Sequence, residues 1–534
     1  MSECSGSRPN FILFITDQHR ADFLGCYGHP IVRTPNIDSI AARGTVFDRF
    51  HVASPVCMPN RSSLVTGRMP SVHGVRCNGI PLSMDAVTFV DLLRDAGYLT
   101  ALVGKSNLQN FTSHPPITRR YPARSGYHEP SPRLTQAIRT DLGGSRYEQE
   151  TPEHWAVGNA RIATPFYGFD QVTLVRAHGD AVGGHYDGWL TERNAKARDL
   201  LGPSNSLPHD YVCPQAYRTA IPEELYSTAF LGECAAAFLD DADRGAPFFL
   251  MVSFPDPHHP FNPPGKYWDM YSPTAFPVPE AFLRDDWTPP KHVQAILDEG
   301  AAGTANRMGM SSIGVSAREA REARALTCGM ITCIDDSIGG VLRALDRSGR
   351  RDDTVVSFTS DHGDHLGDHR LLFKGAEQYQ SLLRVPFIWC DPRASGHPAR
   401  TDALASTIDI SATVLDRARI EPYTGIQGRS LIPAVSNRAA SVRDCVFIQY
   451  DHQRPHPAFG APPRVHSIID GRYRLSVFHG TEWGELYDLV DDPGEFKNLW
   501  DEPTYAARRA AMMERLAFAE IEHVDRVPLP TRLA

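Results

Sequence analysis

Two short apolar runs in this chain end in the same way. Phe11 to Ile15, within "NFILFITDQ", leads into Asp17 and Gln18, and "TVVSFTS" (354–360) leads into Asp361 and His362. An unbroken apolar run of this length, without alternation, fits a strand buried on both faces, as in a parallel sheet covered by helices. The sequence between them agrees. "TPNIDSIAARG" reads as a short capped helix closed by Gly44. "TFVDLLRDAGYLTALVGK" reads as helix, turn at Gly97, then strand Leu99 to Val103. "APFFLMVSF" (246–254) is a further buried strand, preceded by the helical "ELYSTAFLGECAAAFLDDA", and "VPFIWC" (385–390) is another. Between 320 and 346, Leu326, Met330, Ile334, Ile338, Val341 and Leu345 recur at helical spacing up to Gly349. The expected class is α/β, a large and mostly parallel sheet with helices on both faces.

Two stretches break the alternation. Residues 110 to about 215 are rich in Pro, Gly, Arg and His with little periodicity, and read as a long insertion over the sheet's edge or mouth; 260–318 looks similar, less clearly. After about 435 the pattern changes to short strands, "DCVFIQY", "VHSIID", "YRLSVF" and "GELYDL", then a helical tail at 503–520. A chain of 534 residues exceeds what one core usually holds. The expected division is therefore a catalytic α/β domain over 1–435 and a small antiparallel sheet with a helical tail over 436–534.

The net charge of −9 is spread along the chain and argues against nucleic acid or an anionic membrane as partner. The first apolar run is too short for a signal peptide core or a membrane span, so a cytoplasmic location is expected. Ten cysteines without a CxxC pair or regular spacing indicate neither a disulfide framework nor a zinc site.

Ligands of open parallel sheets bind outside the carboxyl ends of the strands. Asp17 with Gln18, and Asp361 with His362, would stand at such ends and could share one hard divalent cation. A lone Asp-His step there is more often a solvated turn, but "DHGDHLGDH" repeats it three times. Spacing alone does not say which of His362, His365 and His369 is a ligand. Cys57 lies in "CMPNRSSLVTGR", ahead of a run that reads as helix. One cysteine among ten is ordinarily a buried, inert thiol. Here Pro59 suits a first helical turn, the helix start offers free N–H groups to an anion, and Arg61 adds a planar cationic fork.

Cys57-Met58-Pro59-Asn60-Arg61 followed by Leu64-Val65-Thr66-Gly67-Arg68 resembles the C-x-P-x-R…TGR element of the sulfatase family. "GYLTALVGK" (97–105) is similar to the second element of that family. "PHHP" (257–260) is similar to its P-H-x-P loop, "LLFKGAEQYQSLLRVPFI" to its lysine-bearing stretch, and "ELYDLVDDPGEFKNL" (485–499) to its C-terminal sheet strand. The matches run in order from residue 10 to 499. The resemblance implies an alkaline-phosphatase-like fold. Asp-Gln after the first strand resembles the branch that includes phosphonate monoester hydrolases and choline-sulfatase-like enzymes.

The resemblance also implies roles. Cys57 is oxidised by a formylglycine-generating enzyme to formylglycine. One hydroxyl of its hydrate attacks sulfur or phosphorus, alcohol leaves, and the second hydroxyl collapses to the aldehyde, expelling the anion by C–O cleavage. Asp17, Asp361, His362 and residue 57 would hold one divalent metal, Ca²⁺ or Mn²⁺, with Gln18 as ligand or outer donor. Arg61 would hold the diol, Lys105 and Lys374 the transferred anion, and His258 (or, with roles swapped, His259) the leaving oxygen. Asn78 and Asn107 are further candidates for oxyanion contacts. Without the family, each lysine would read as an ordinary surface side chain. Two departures stand out: Asn60 replaces the usual Ser or small residue, and Gly104-Lys105-Ser106-Asn107 replaces G-K-x-H, so an amide stands where the family has a histidine. The expected function is an arylsulfatase-like sulfuric ester hydrolase with promiscuity toward phosphonate monoesters and phosphodiesters. The alternatives are a phosphonate monoester hydrolase or phosphodiesterase, and a non-catalytic anion-binding relative. Long insertions and a C-terminal arm make a homo-oligomer an expectation as well.

Overall fold

The computed structural model describes residues 8–113, 133, 142–157, 160–242, 245–394, 399–437 and 440–529. Among them, nine strands form the main sheet. In spatial order they are Arg400–Thr401, Thr45–Phe47, Phe387–Cys390, Thr354–Ser360, Asn10–Thr16, Phe248–Ser253, Leu99–Lys105, Gln171–Arg176 and Gly183–Gly184. The five from Thr354–Ser360 to Gln171–Arg176 are mutually parallel. The "VPFIWC" strand, Phe387–Cys390, runs antiparallel to its neighbour Thr354–Ser360.

The central strand explains its own composition. Ile12 and Phe14 join one buried cluster, while Phe11, Leu13 and Ile15 join another on the opposite face. A strand sandwiched between two cores can spare no polar position. The long helix Ala317–Arg347 packs against the helix Ser227–Asp241 and buries Leu326, Met330, Ile334, Ile338, Val341 and Leu345. Each such side chain contributes about 1.5–3 kcal/mol when fully buried. This helix is long and apolar enough to cross a membrane, yet 83% of its most apolar window is buried in the fold, as in a core helix.

Register aligns the carboxyl ends of the parallel strands. Ile15 lies opposite both Ser253 and Thr359, Gly104 opposite Ser253, and Lys105 opposite Val175. Asp17, Lys105, Asp361 and the loop after Ser253 therefore emerge at one edge. The strand Leu99–Lys105 runs two residues beyond the expected Val103. Gly104 permits that crossing: its φ is 120°, and a Cβ there would lie 1.9 Å from the Ser253 carbonyl oxygen.

The 110–215 segment is more than a cover. Residues 114–132, 134–141 and 158–159 lie outside the described residues. The remainder adds the strand Gln171–Arg176 to the sheet, parallel to Leu99–Lys105. Its "QVTLVR" has the β-branched character of a strand, hidden within Gly- and Pro-rich surroundings.

Four antiparallel strands, Val446–Asp451, Arg464–Ile469, Tyr473–Phe478 and Gly484–Asp488, make the second sheet. The helix Ala506–Glu522 covers it, with Met512, Leu516 and Ala519 packed among Phe447, Ile468, Leu475 and Leu486. Val446, Ile448 and Ile469 belong to the main core, so the small sheet is seated on the large one.

Candidate active site

Cys57 is the first residue of the helix Cys57–Thr66 and is buried. Val56 offers that helix no side-chain cap. Asn78 supplies one from outside, its Oδ1 accepting from the Met58 amide at 3.1 Å. Asn60 anchors the same turn. Its Oδ1 accepts from the Ala53 and Ser54 amides (3.0 and 3.3 Å), and its Nδ2 donates to the Asp361 carbonyl at 2.6 Å. The residue that departs from the sulfatase motif thus ties the Cys57 helix to the Asp361 strand end, which a serine is too short to do.

Around the Cys57 Sγ lie His362 Nε2 at 3.1 Å, Lys374 Nζ at 3.5 Å and Asp17 Oδ1 at 3.8 Å. Arg61 donates through Nε to Asp361 Oδ2 at 2.7 Å and through Nη1 to Ser253 Oγ at 2.8 Å. Its Nη2 is buried without a hydrogen-bond partner among the described residues, 3.7 Å from Asp17 Oδ2. Lys105 Nζ pairs with Asp17 Oδ2. Two buried carboxylates thus meet three buried cations, Arg61, Lys105 and Lys374. Burial alone would raise the Asp17 carboxyl, but Lys105, His258, His178 and Arg61 outweigh it and hold that group well below the ordinary carboxylate range. Burial, then Lys374, pushes the His362 imidazole down to about 4, so it is neutral and able to ligate. Asp17, Cys57, Asp361 and His362 offer ligand atoms all within 4.8 Å of one another. Two carboxylate oxygens and a neutral imidazole nitrogen suit a divalent cation.

With that geometry, the sequence relationships carry weight. A family model described as Sulfatase matches residues 9–420, and one described as N-sulphoglucosamine sulphohydrolase, C-terminal, matches 367–522. The chain belongs to the sulfatase family. Its place is within the alkaline phosphatase superfamily, as a hydrolase of sulfuric esters. It is 28% identical over 522 residues to an arylsulfatase of Clostridium perfringens, covering 96% of this chain and 95% of that protein. It is also 28% identical over 547 residues to the multifunctional alkaline phosphatase superfamily protein PehA of Trinickia caryophylli, covering 97% and 96%. The crystal structure of the phosphonate monoester hydrolase of Agrobacterium radiobacter superposes with a TM-score of 0.76 at 26% identity, covering 99% and 98%.

The sulfatase-family motifs account for most of the cluster. Of the three histidines after Asp361, only His362 faces Cys57. His365 bonds Ser381 Oγ at 3.0 Å and lies 3.6 Å from Glu377, while His369 stacks on Tyr379 with ring centres 3.5 Å apart. His258 Nε2 lies 2.9 Å from Lys374 Nζ, whereas His259 Nδ1 meets the Gln18 amide at 3.0 Å. Gln18 Oε1 accepts from the Lys374 ammonium at 2.8 Å, and its backbone N–H donates to Asp361 Oδ1 at 3.1 Å. In this arrangement it braces the four-ligand group from outside. Asn107 has φ 55° and a side chain whose two polar atoms are buried without partners among the described residues.

Two residues of the site come from the 110–215 segment and were not among the sequence candidates. His178 follows the strand Gln171–Arg176; its Nε2 lies 2.5 Å from Lys105 Nζ, and its ring stacks on His258 at 3.7 Å. Burial, then Lys105, pushes it down to about 4, leaving a neutral acceptor for the ammonium. Glu150 is buried and accepts the backbone N–H groups of Asn107, Leu108 and Gln109 at 2.9, 3.1 and 2.9 Å. It fixes the turn that carries Asn107.

Burial outweighs those amide donors and pushes the Glu150 carboxyl from its ordinary 4.5 up to about 7. A carboxyl that holds its proton more tightly when folded contributes stability that is lost as pH rises from the unfolded value through the folded one. The loss amounts to about 3 kcal/mol at most. Glu150→Gln cannot ionise. Its Tm relative to the parent should therefore rise between pH 5 and pH 8 in thermal melts. A constant difference across that range would refute the assignment.

Proposed function

We propose that this chain hydrolyses sulfate esters of alcohols or phenols, with residue 57 matured from cysteine to formylglycine. Asp17, Asp361, His362 and residue 57 hold one divalent cation, Ca²⁺ or Mn²⁺. The observation that carries this reading is the pair of ammonium groups, Lys105 and Lys374, closing on Asp17 and Cys57 in a fully buried pocket. Three fixed cations around two carboxylates leave a positive surplus for a tetrahedral anion, and preorganised charge of this kind is usually the largest contribution to catalysis. A bound divalent ion adds Lewis-acid charge to that surplus.

Each side chain has a task set by its contacts. Burial, then Asp17, pushes the Cys57 thiol up to about 11, so unmodified cysteine is a poor nucleophile at neutral pH, which favours its role as a precursor. Arg61 orients Asp361, and its Nη2, unpartnered among the described residues, is the donor that would hold the hydrated formylglycine. Lys105, steadied by His178 and Asp17, and Lys374 hold the non-reacting oxygens of the transferred group. His258 is kept neutral by burial and by His178 and Lys374. Its Nε2 accepts from the Lys374 ammonium at 2.9 Å, so Lys374 is the proton source: it protonates Nε2, and the imidazolium passes that proton to the departing alcoholate. Asn107 offers an amide to the transferred group. Maturation requires a formylglycine-generating enzyme, for which Pro59 and Arg61 keep the recognised pattern.

A phosphonate monoester or phosphodiester also presents one negative charge on a tetrahedral centre. The neutral Asn107 and the fold shared with the phosphonate monoester hydrolase of Agrobacterium radiobacter favour it as the second substrate class. A phosphate monoester brings a second charge whose unpaired burial costs several kcal/mol. With four esters of one common leaving group, kcat/KM should fall in the order sulfate, then phosphonate monoester and phosphodiester, then phosphate monoester. Peptide mass spectrometry should show residue 57 as the aldehyde. A phosphonate rate far above the sulfate rate would transfer the assignment to the second class, and a dominant phosphate monoesterase would sink both.

A further inference from the structure

A small cleft of about 40 Å³, open to solvent, is lined by Lys374, whose Nζ is 3.5 Å from the Cys57 Sγ. Among the described residues its walls include Asn78, Tyr450 and the turn Asp451–Arg454, which leaves the first strand of the small sheet. That turn is shaped by His452, whose Nδ1 meets the Arg454 backbone N–H at 3.3 Å and the Arg454 carbonyl at 3.0 Å. Asp451 is already neutralised, by Arg76 Nη1 at 2.8 Å and Arg464 Nε at 3.2 Å. Arg454 is exposed, and its guanidinium has no hydrogen bond or ion pair among the described residues. With Asp451 paired to two arginines, the Arg454 guanidinium is the unpaired charge among the described residues that line the cleft near its opening.

We infer that the alcohol half of the substrate carries its own anionic group, and that Arg454 binds it at the mouth of the cleft. This rests on the sulfatase reading above: the scissile sulfate sits between Lys105 and Lys374, and the remainder of the molecule leaves along the cleft past Tyr450. A guanidinium fork matches the two oxygens of a carboxylate or of a second sulfate ester.

Two phenyl sulfates, one bearing a carboxylate and one a carboxamide, test the inference on the matured full chain. The parent should show a KM about fivefold lower for the carboxylate, the upper end for a single solvent-facing ion pair. Arg454→Gln should bring the two KM values together, and added salt should do the same in the parent. Equal KM values in the parent, or a preference that survives in Arg454→Gln, would overturn the inference. Turnover of neither ester would overturn the sulfatase reading instead. In that case calorimetry with 4-hydroxybenzoate still decides the subsite. Arg454→Gln should weaken its binding about fivefold relative to the parent, and equal binding by both proteins counts against Arg454.

Discussion

Cys57→Ala should leave the fold intact and lower kcat/KM by about 10⁵-fold or more, which is about 7 kcal/mol of transition-state stabilisation. The two halves of this expectation have separate causes. The helix that begins at Cys57 is held by Asn60 and Asn78 rather than by the thiol. Among the described residues the Sγ meets His362, Lys374 and Asp17 at hydrogen-bond distance. Removing one buried sulfur then costs about 1–2 kcal/mol in lost contacts, a shift of a few degrees in Tm for a chain this size. Turnover falls because alanine cannot become an aldehyde. Cys57→Ser separates volume from chemistry: it restores a polar side chain at the position but gives an ester that water must displace, so it should remain deeply impaired unless a maturation system oxidises it. Near-normal activity in a Cys57→Ala preparation cleared of contaminating hydrolases would remove residue 57 from the mechanism.

What the sequence disclosed and what it hid divide along physical lines. The parallel strands were legible because burial on both faces forces an unbroken apolar run, as in Phe11–Ile15. The Cys57 helix was legible because proline, arginine and cysteine at fixed spacing perform a local task. Asp17 and Asp361 followed once the strands were placed, since a strand end fixes where its next residue goes. His178 and Glu150 belong to another category. His178 joins the site because Gln171–Arg176 pairs with Leu99–Lys105 from far along the chain, and Glu150 because it accepts the amides of Asn107, Leu108 and Gln109; no local periodicity reports either contact. The β-branched "QVTLVR" after Gly168 was the available signal for the strand. The choice among His362, His365 and His369 also needed three dimensions, because the turn after Asp361 sends two of the three into the packing against Tyr379 and Glu377. Asn60 is instructive in the opposite sense: as a departure from a motif it drew attention to maturation, yet its visible contacts are structural.

Asp361→Asn tests the metal assignment without relying on activity alone. The substitution keeps shape and one acceptor, so with its oxygen turned to Arg61 Nε the amide still accepts there, while the Gln18 N–H, which uses the other carboxylate oxygen, loses its partner. It removes one of only two carboxylates that face three buried cations. Two consequences follow. Divalent affinity should fall by at least about 100-fold, since even an outer partner of a metal ligand is commonly worth 10–100-fold, and turnover should fall at least as far. The buried Arg61 also loses its ionic partner, which costs about 3 kcal/mol, the lower end for breaking a buried pair, because the amide oxygen still accepts. Metal titrations separate these effects. A cation that binds only the folded chain raises Tm with its concentration, so the parent should melt higher as Ca²⁺ or Mn²⁺ is added and lower in chelator. Asp361→Asn should start from a lower Tm and respond to neither. If the variant binds the ion with parental affinity, Asp361 is not a ligand. If the parent instead binds two ions about 4 Å apart, as bimetallic hydrolases do, then Asp17, His178 and His258 are the second set of donors. Lys105, whose ammonium now lies between Asp17 and His178, would have to move aside, and the single-metal sulfatase mechanism would fall with it.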